Sequence, residues 1–164
     1  MKIRVFISAT STDLRSYRQS ASEHLSSDKL EVIVQDDLPP DHQTVREMLL
    51  DKLAPCDAVV ILLGFAFGAE PVGRPENARR RSYTQMEFDL AAALSKPIYL
   101  FVARDDCALD AIPQEPEELQ KLQSLHRRQL MSTDKLYYEF STVEELCKQL
   151  SKVEFKPYRS PQRP

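Results

Sequence analysis

A single carboxylate raises the functional question in this chain. Glu87 lies in "RRRSYTQMEFDLAAALSKP" (79–97), where three arginines run into a helix that opens with Ser82, Thr84 and Gln85. A glutamate there has two uses. It can face a substrate, or it can return to the helix start as the second half of a capping box, which needs Ser or Thr at the N-cap and Glu or Gln three residues on. Two registers satisfy that spacing: Ser82 with Gln85, and Thr84 with Glu87. The second uses Glu87 as a cap; the first leaves it for other chemistry. Spacing alone leaves both open.

Other residues could complete a site around it. "SATSTD" (8–13) supplies Ser8, Thr10, Ser11 and Thr12 before a helix start, with Asp13 in its first turn. Hydroxyls and backbone N–H groups in such a turn can hold phosphate or ribose oxygens. The alternative is that Ser11 or Thr12 is only an N-cap. The turn lacks the glycines of a P-loop or a dinucleotide fingerprint, which removes support for a Walker-type ATPase. "GFAFG" (64–68) brings Gly64, Phe65 and Phe67, whose rings could stack on a base or simply pack. Arg79, Arg80 and Arg81 could neutralise a pyrophosphate, meet a partner's acidic face, or form a solvated loop. With Tyr83, these residues complete the set of candidate ligand contacts.

The elements that must position them alternate with regularity. "IRVFI" (3–7), "LEVIVQ" (30–35), "AVVILLG" (58–64), "IYLFVA" (98–103) and "KLYYEF" (135–140) read as strands. Between them, residues 13–26, 44–56, the stretch after Ser82, 115–130 and 143–152 carry helical spacing. The third strand is apolar at every position, as a central parallel strand covered on both faces must be. Five strands alternating with five helices predict a doubly wound α/β fold with right-handed crossovers, flavodoxin-like, in the order 2-1-3-4-5. In such a sheet ligands sit beyond the carboxyl ends of the strands where the order reverses, here between strands 1 and 3. Ser8–Asp13, Gly64–Gly68 and the start of the quoted helix all converge there.

Bulk properties narrow the class. The chain has 164 residues, 42% hydrophobic and 29% charged, enough for one domain with a real core. The expected division is an α/β domain over 1–152 and a Pro- and Arg-rich tail over 153–164, read as the start of a linker into a longer protein. A net charge of −3 argues against a nucleic-acid binder. The longest apolar runs fall far short of the roughly 20 residues of a membrane span, and the N-terminus is too strand-like for a signal peptide. A cytoplasmic protein is expected. Cys56, Cys107 and Cys147, with three scattered histidines, show no metal-ligand spacing, so neither a metal nor a bound cofactor is expected.

Three stretches together carry a family resemblance: "VFISATSTDLRSYR", "CDAVVILLGFAFGAEP" and "SYTQMEFDLAAALSKPIYLFV". They resemble a bacterial TIR-like family catalogued as a domain of unknown function, with the signature VFISST..DL...R, G.RYG and SYTELEY..A...KP. The resemblance spans about residues 3–150. Members stand at the N-terminus of signalling proteins, ahead of nucleotide-switch (STAND-type) ATPase modules or tetratricopeptide arrays. The resemblance implies partners of two kinds, further domains of a longer chain or other copies of itself. It also implies two jobs: hydrolysis of NAD at the nicotinamide glycosidic bond by a glutamate in the helix after the third strand, or non-catalytic homotypic association. Glu87 matches that glutamate and Ser82 a serine that often precedes it, though the five-residue spacing differs from the usual TIR pattern. The signature's RYG arginine is Ala66 here, and the first glutamate of TELE is Gln85. NAD would be substrate rather than resident cofactor. A nucleoside deoxyribosyltransferase-like enzyme is a third reading of the same sheet.

Overall fold

The computed structural model describes residues 1–35, 41–133 and 136–160. Residues 36–40 of the expected loop after the second strand, Lys135 and the last four residues of the tail lie outside the described residues. The elements follow the alternation in order: β1 (Ile3–Ala9), α1 (Ser11–Leu25), β2 (Leu30–Ile33), α2 (His42–Leu53), β3 (Ala58–Leu63), α3 (Tyr83–Ala93), β4 (Ile98–Ala103), α4 (Glu117–Met131), β5 (Tyr137–Phe140) and α5 (Val143–Leu150). All pairings are parallel and the sheet order is β2-β1-β3-β4-β5, the flavodoxin-like arrangement.

Strand parity divides the core into two layers. Val5, Ile7, Ala58, Val60, Leu62 and Phe101 pack on one side with residues of α1 and α5. Phe6, Val59, Ile61, Leu63 and Val102 pack on the other with α2, α3 and Leu130 of α4. β3 is buried at all six positions, because β1 and β4 flank it and helices cover both faces.

Several boundaries differ from the sequence reading, and those that bear on the site or the tail are these. β1 runs to Ala9, because Ser8 and Ala9 continue the ladder opposite Ile61 and Leu62. α1 therefore begins at Ser11, and its N-cap is Thr10 rather than Ser11 or Thr12. Thr10 caps by backbone position only, without a side-chain bond to the helix. Its hydroxyl instead reaches Ala66 O at 3.4 Å and the Thr84 hydroxyl at 3.3 Å. β5 is short, starting at Tyr137. Finally, the chain does not leave the body at residue 153. Phe155 is buried in the core and meets the Tyr99 ring edge-on. Tyr158 donates its N–H to Asp57, and its ring lies under Lys96 Nζ at 4.5 Å. The segment after α5 thus crosses beneath the amino ends of β3 and β4, opposite the expected site. Among the described residues no helix is long and apolar enough to cross a membrane.

Candidate active site

The first turn of α3 decides the fate of Glu87. Ser82 Oγ accepts from Gln85 N at 3.2 Å, and Gln85 Oε1 accepts from Ser82 N at 3.4 Å, a reciprocal capping box. Gln85 is buried on the side facing α4, where its Nε2 donates to Gln123 Oε1 at 3.2 Å. Gln123 in turn donates to Gly64 O at 2.9 Å. At about 100° per residue, Glu87 is turned by roughly 200° from Gln85, toward β1. The cap belongs to Ser82 and Gln85, and Glu87 is released from it.

Ser8 shares the sheet face of Phe6, the one α3 covers, so its hydroxyl points at Glu87. Glu87 is 4% exposed, and its Oε2 has no hydrogen-bond partner. Burial pushes its carboxyl up to about 7, against the downward pull of a hydrogen bond from Ser8 and of the Arg18 guanidinium. A carboxyl divided between its two forms near neutrality, with a buried oxygen left unpaired, is unusual for a core residue.

Glu87 lines a cavity of about 240 Å³ together with Thr10, Ser11, Phe67, Tyr83 and Thr84. Thr10 and Thr84 join hydroxyls on its wall, and Ser82 Oγ backs Thr84 from behind at 3.1 Å. Arg18 closes one side, donating to Ser11 Oγ at 3.2 Å. Beyond Arg18 and Ser11, which line both spaces, a second cavity of about 550 Å³ extends along α1 past Arg15 and Gln19. The inner space alone is smaller than the usual 300–1,000 Å³ small-molecule site; the adjoining pair reaches that range.

The loop after β3 is held by acids of the chain itself. Asp13 Oδ2 accepts from Phe65 N at 2.8 Å and Ala66 N at 3.0 Å. Glu115 accepts from Phe67 N at 2.8 Å and Gly68 N at 3.0 Å. Four consecutive amides, a ready-made anion cradle, are thereby engaged by two internal carboxylates. Gly64 makes room for this: a Cβ there would stand 2.4 Å from Asp13 Oδ2. Burial raises the Asp13 carboxyl from its ordinary range, opposed by those backbone bonds. Gly68, at φ +84°, lets the loop close on Thr10, whose Cγ2 would be 2.9 Å from a Cβ.

The expected site residues therefore separate into groups. Thr10, Ser11, Phe67 and Tyr83 line the cavity with Glu87, and Ser8 lies against its carboxyl. Asp13 and Gly64 sit beneath, fixing the loop. Phe65 turns away and lies under the Arg127 guanidinium at 4.1 Å, while that guanidinium binds Leu63, Gly64 and Ala103 carbonyls. Ser82 is the cap. Arg81 is bound in bidentate fashion to Asp89 at 2.8 and 2.7 Å, outside the cavity. Arg18 and Gln35, both of the cavity lining, and Glu115 escaped the sequence reading, which met Thr84 only as a possible cap. Arg18 had a signal, as the last residue of the "VFISATSTDLRSYR" stretch; Glu115 had none, since it acts from a distant irregular loop.

Fold and site together define a flavodoxin-like α/β domain with an acid-bearing crevice at the switch point between β1 and β3. The chain belongs to the family described as "Domain of unknown function (DUF4062)", whose model matches residues 4–153. None of the curated proteins matches it.

Proposed function

We propose that this domain is a TIR-like signalling or effector module that binds a nucleotide in the crevice and hydrolyses NAD at the nicotinamide glycosidic bond, with Glu87 as the catalytic carboxylate. The observation that carries the reading is the release of Glu87 from the helix cap into the wall of a hydroxyl-lined cavity, one oxygen unpaired. The three sequence motifs supply the analogy to NAD-cleaving TIR domains and to members that precede STAND or tetratricopeptide modules.

The chemistry asks for little else. The C1′–N bond breaks with both electrons going to the pyridinium nitrogen, so nicotinamide leaves neutral and the ribose becomes an oxocarbenium ion. Ionised Glu87 stabilises that cation electrostatically. Water adds at C1′ and one proton is released, giving ADP-ribose. The Ser8 hydrogen bond favours the charged form of Glu87 against burial, and the Thr10–Thr84 hydroxyls and Arg18 position the ribose and phosphate side.

The test follows nicotinamide release from NAD by proton NMR, with the domain both free and clustered on a multivalent support. Release that disappears in Glu87→Gln, with circular dichroism unchanged, is expected. No release in either format, or equal release from the variant, removes the catalytic role and leaves homotypic association as the reading of the motifs.

A further inference from the structure

The arginine run does not reach the Glu87 crevice. It borders a different cavity, of about 180 Å³, between the loop before α3 and the outer face of α4. Leu122, Leu125, His126 and Gln129 form one stripe of α4 along it, and Gln85 closes its floor. α3 thus has a cavity on each side of its first turns.

The three arginines differ in what they have left to donate. Arg80 is fully engaged: Nε and Nη2 bind Glu70, and Nη1 meets Glu118 at 2.9 Å. Arg81 uses Nε and Nη2 on Asp89, which leaves Nη1. Arg79 is exposed and pairs with no carboxylate among the described residues. His126 is 5% exposed, set edge-on to Phe88, and accepts or donates no hydrogen bond among the described residues. Burial, then the charges of Arg81 and Arg79, push its imidazole down to about 4, so it is neutral at physiological pH. No carboxylate offsets that effect. Arg80 and Arg81 are offset by Glu70, Glu118 and Asp89, so what this partly apolar wall has left to donate comes from Arg79, Arg81 Nη1 and the ring of His126.

We propose that Arg79, the free edge of Arg81 and His126 form a binding site for a small phosphoryl anion, distinct from the Glu87 crevice. A tetrahedral oxyanion can accept from a loop and a helix at once, and guanidinium forks suit its oxygens. The volume lies below the range of ordinary small-molecule sites, which restricts the occupant to phosphate or a small phosphate monoester. His126 lines the cavity, so its neutral ring reports occupancy.

The experiment titrates inorganic phosphate into the full chain at pH 7.5 and follows the three histidine rings by ¹H–¹³C NMR, with sodium chloride at matched ionic strength as control. A saturable shift of His126, with His24 and His42 unmoved, is expected. Arg79→Gln should weaken it by about 10- to 100-fold, the loss of charge-assisted hydrogen bonds, with circular dichroism unchanged. Glycerol 3-phosphate in parallel distinguishes the sources: tighter binding than phosphate assigns the site to a monoester, weaker binding to the free ion. An unmoved His126, the same shift with chloride, or equal affinity in Arg79→Gln overturns the site.

Discussion

Replacing Glu87 by Gln should stabilise the fold, and only above a defined pH. The carboxyl has an ordinary value of 4.5 and is raised to about 7 in the folded chain, chiefly by burial. Between those two pH values the unfolded chain has lost the proton and the folded chain still holds it. Stability therefore falls as pH rises through this window and is level again above it. A rise of about 2.5 pH units corresponds to roughly 3 kcal/mol. That is a large share of the 5–15 kcal/mol that typically separates folded from unfolded domains. Glutamine keeps the shape and never ionises, so the difference in stability between variant and wild type should shift in the variant's favour from pH 4.5 upward, by about 3 kcal/mol at pH 8. At roughly 2–4 °C per kcal/mol for a chain of this size, the difference between the two melting temperatures should widen by some 6–12 °C over that range. The glutamine amide also meets an unpaired position, a loss of about 1 kcal/mol at every pH. The opening of the gap, rather than its absolute size, is thus the measured quantity. Urea unfolding of both proteins from pH 4 to 9 reads it directly. Parallel curves across that range would refute the buried, raised carboxyl.

Two further outcomes follow from the same packing. Ser8→Ala removes the hydrogen bond that favours the charged form of Glu87, so the Glu87 midpoint followed by ¹³C-carboxyl NMR should move above 7; an unchanged or lower midpoint contradicts the contact. Asp13→Ala leaves the Phe65 and Ala66 amides without their acceptor and should lower unfolding free energy by roughly 2–4 kcal/mol, whereas Asp13→Asn, which keeps an accepting oxygen, should recover most of the loss in urea titrations.

The architecture was legible because it rests on patterns that repeat. "AVVILL" is apolar at each position, which only a doubly covered strand needs, and that places it at the centre of the sheet. The switch point between β1 and β3 follows from the order alone. The register of the capping box was not legible, since Ser82/Gln85 and Thr84/Glu87 both satisfy the spacing. It was decided by a partner 38 residues away, Gln123, which holds Gln85 toward α4. Phe65 was misplaced for a similar reason. Its neighbour Phe67 has the same chemistry, and only the Arg127 guanidinium, reaching across from α4, separates their directions. The tail misled through composition. "KPYRSPQRP" reads as a linker, yet Phe155 just before it meets the Tyr99 ring, and its Tyr158 is held by Asp57 and Lys96.

Glu87 and Asp13 are both buried acids, yet they stand in different relations to the fold. Asp13 has one oxygen that accepts from two backbone amides, and Gly64 is kept small to admit it. Its other oxygen is buried without a partner and burial raises its carboxyl too, but the bonds it does make hold the loop. Glu87 anchors no backbone amide: the helix start is already complete with Ser82 and Gln85, and its Oε2 faces no donor. A residue needed only for packing would be served as well by glutamine or methionine, without the loss of stability that ionisation brings above pH 4.5. The carboxyl is therefore kept at a cost the fold does not require. What the position offers in return is a poised acid beside ribose-sized space, next to the hydroxyls of Thr10 and Thr84. A positive charge developing there would lower the Glu87 midpoint and recover the free energy that burial removes.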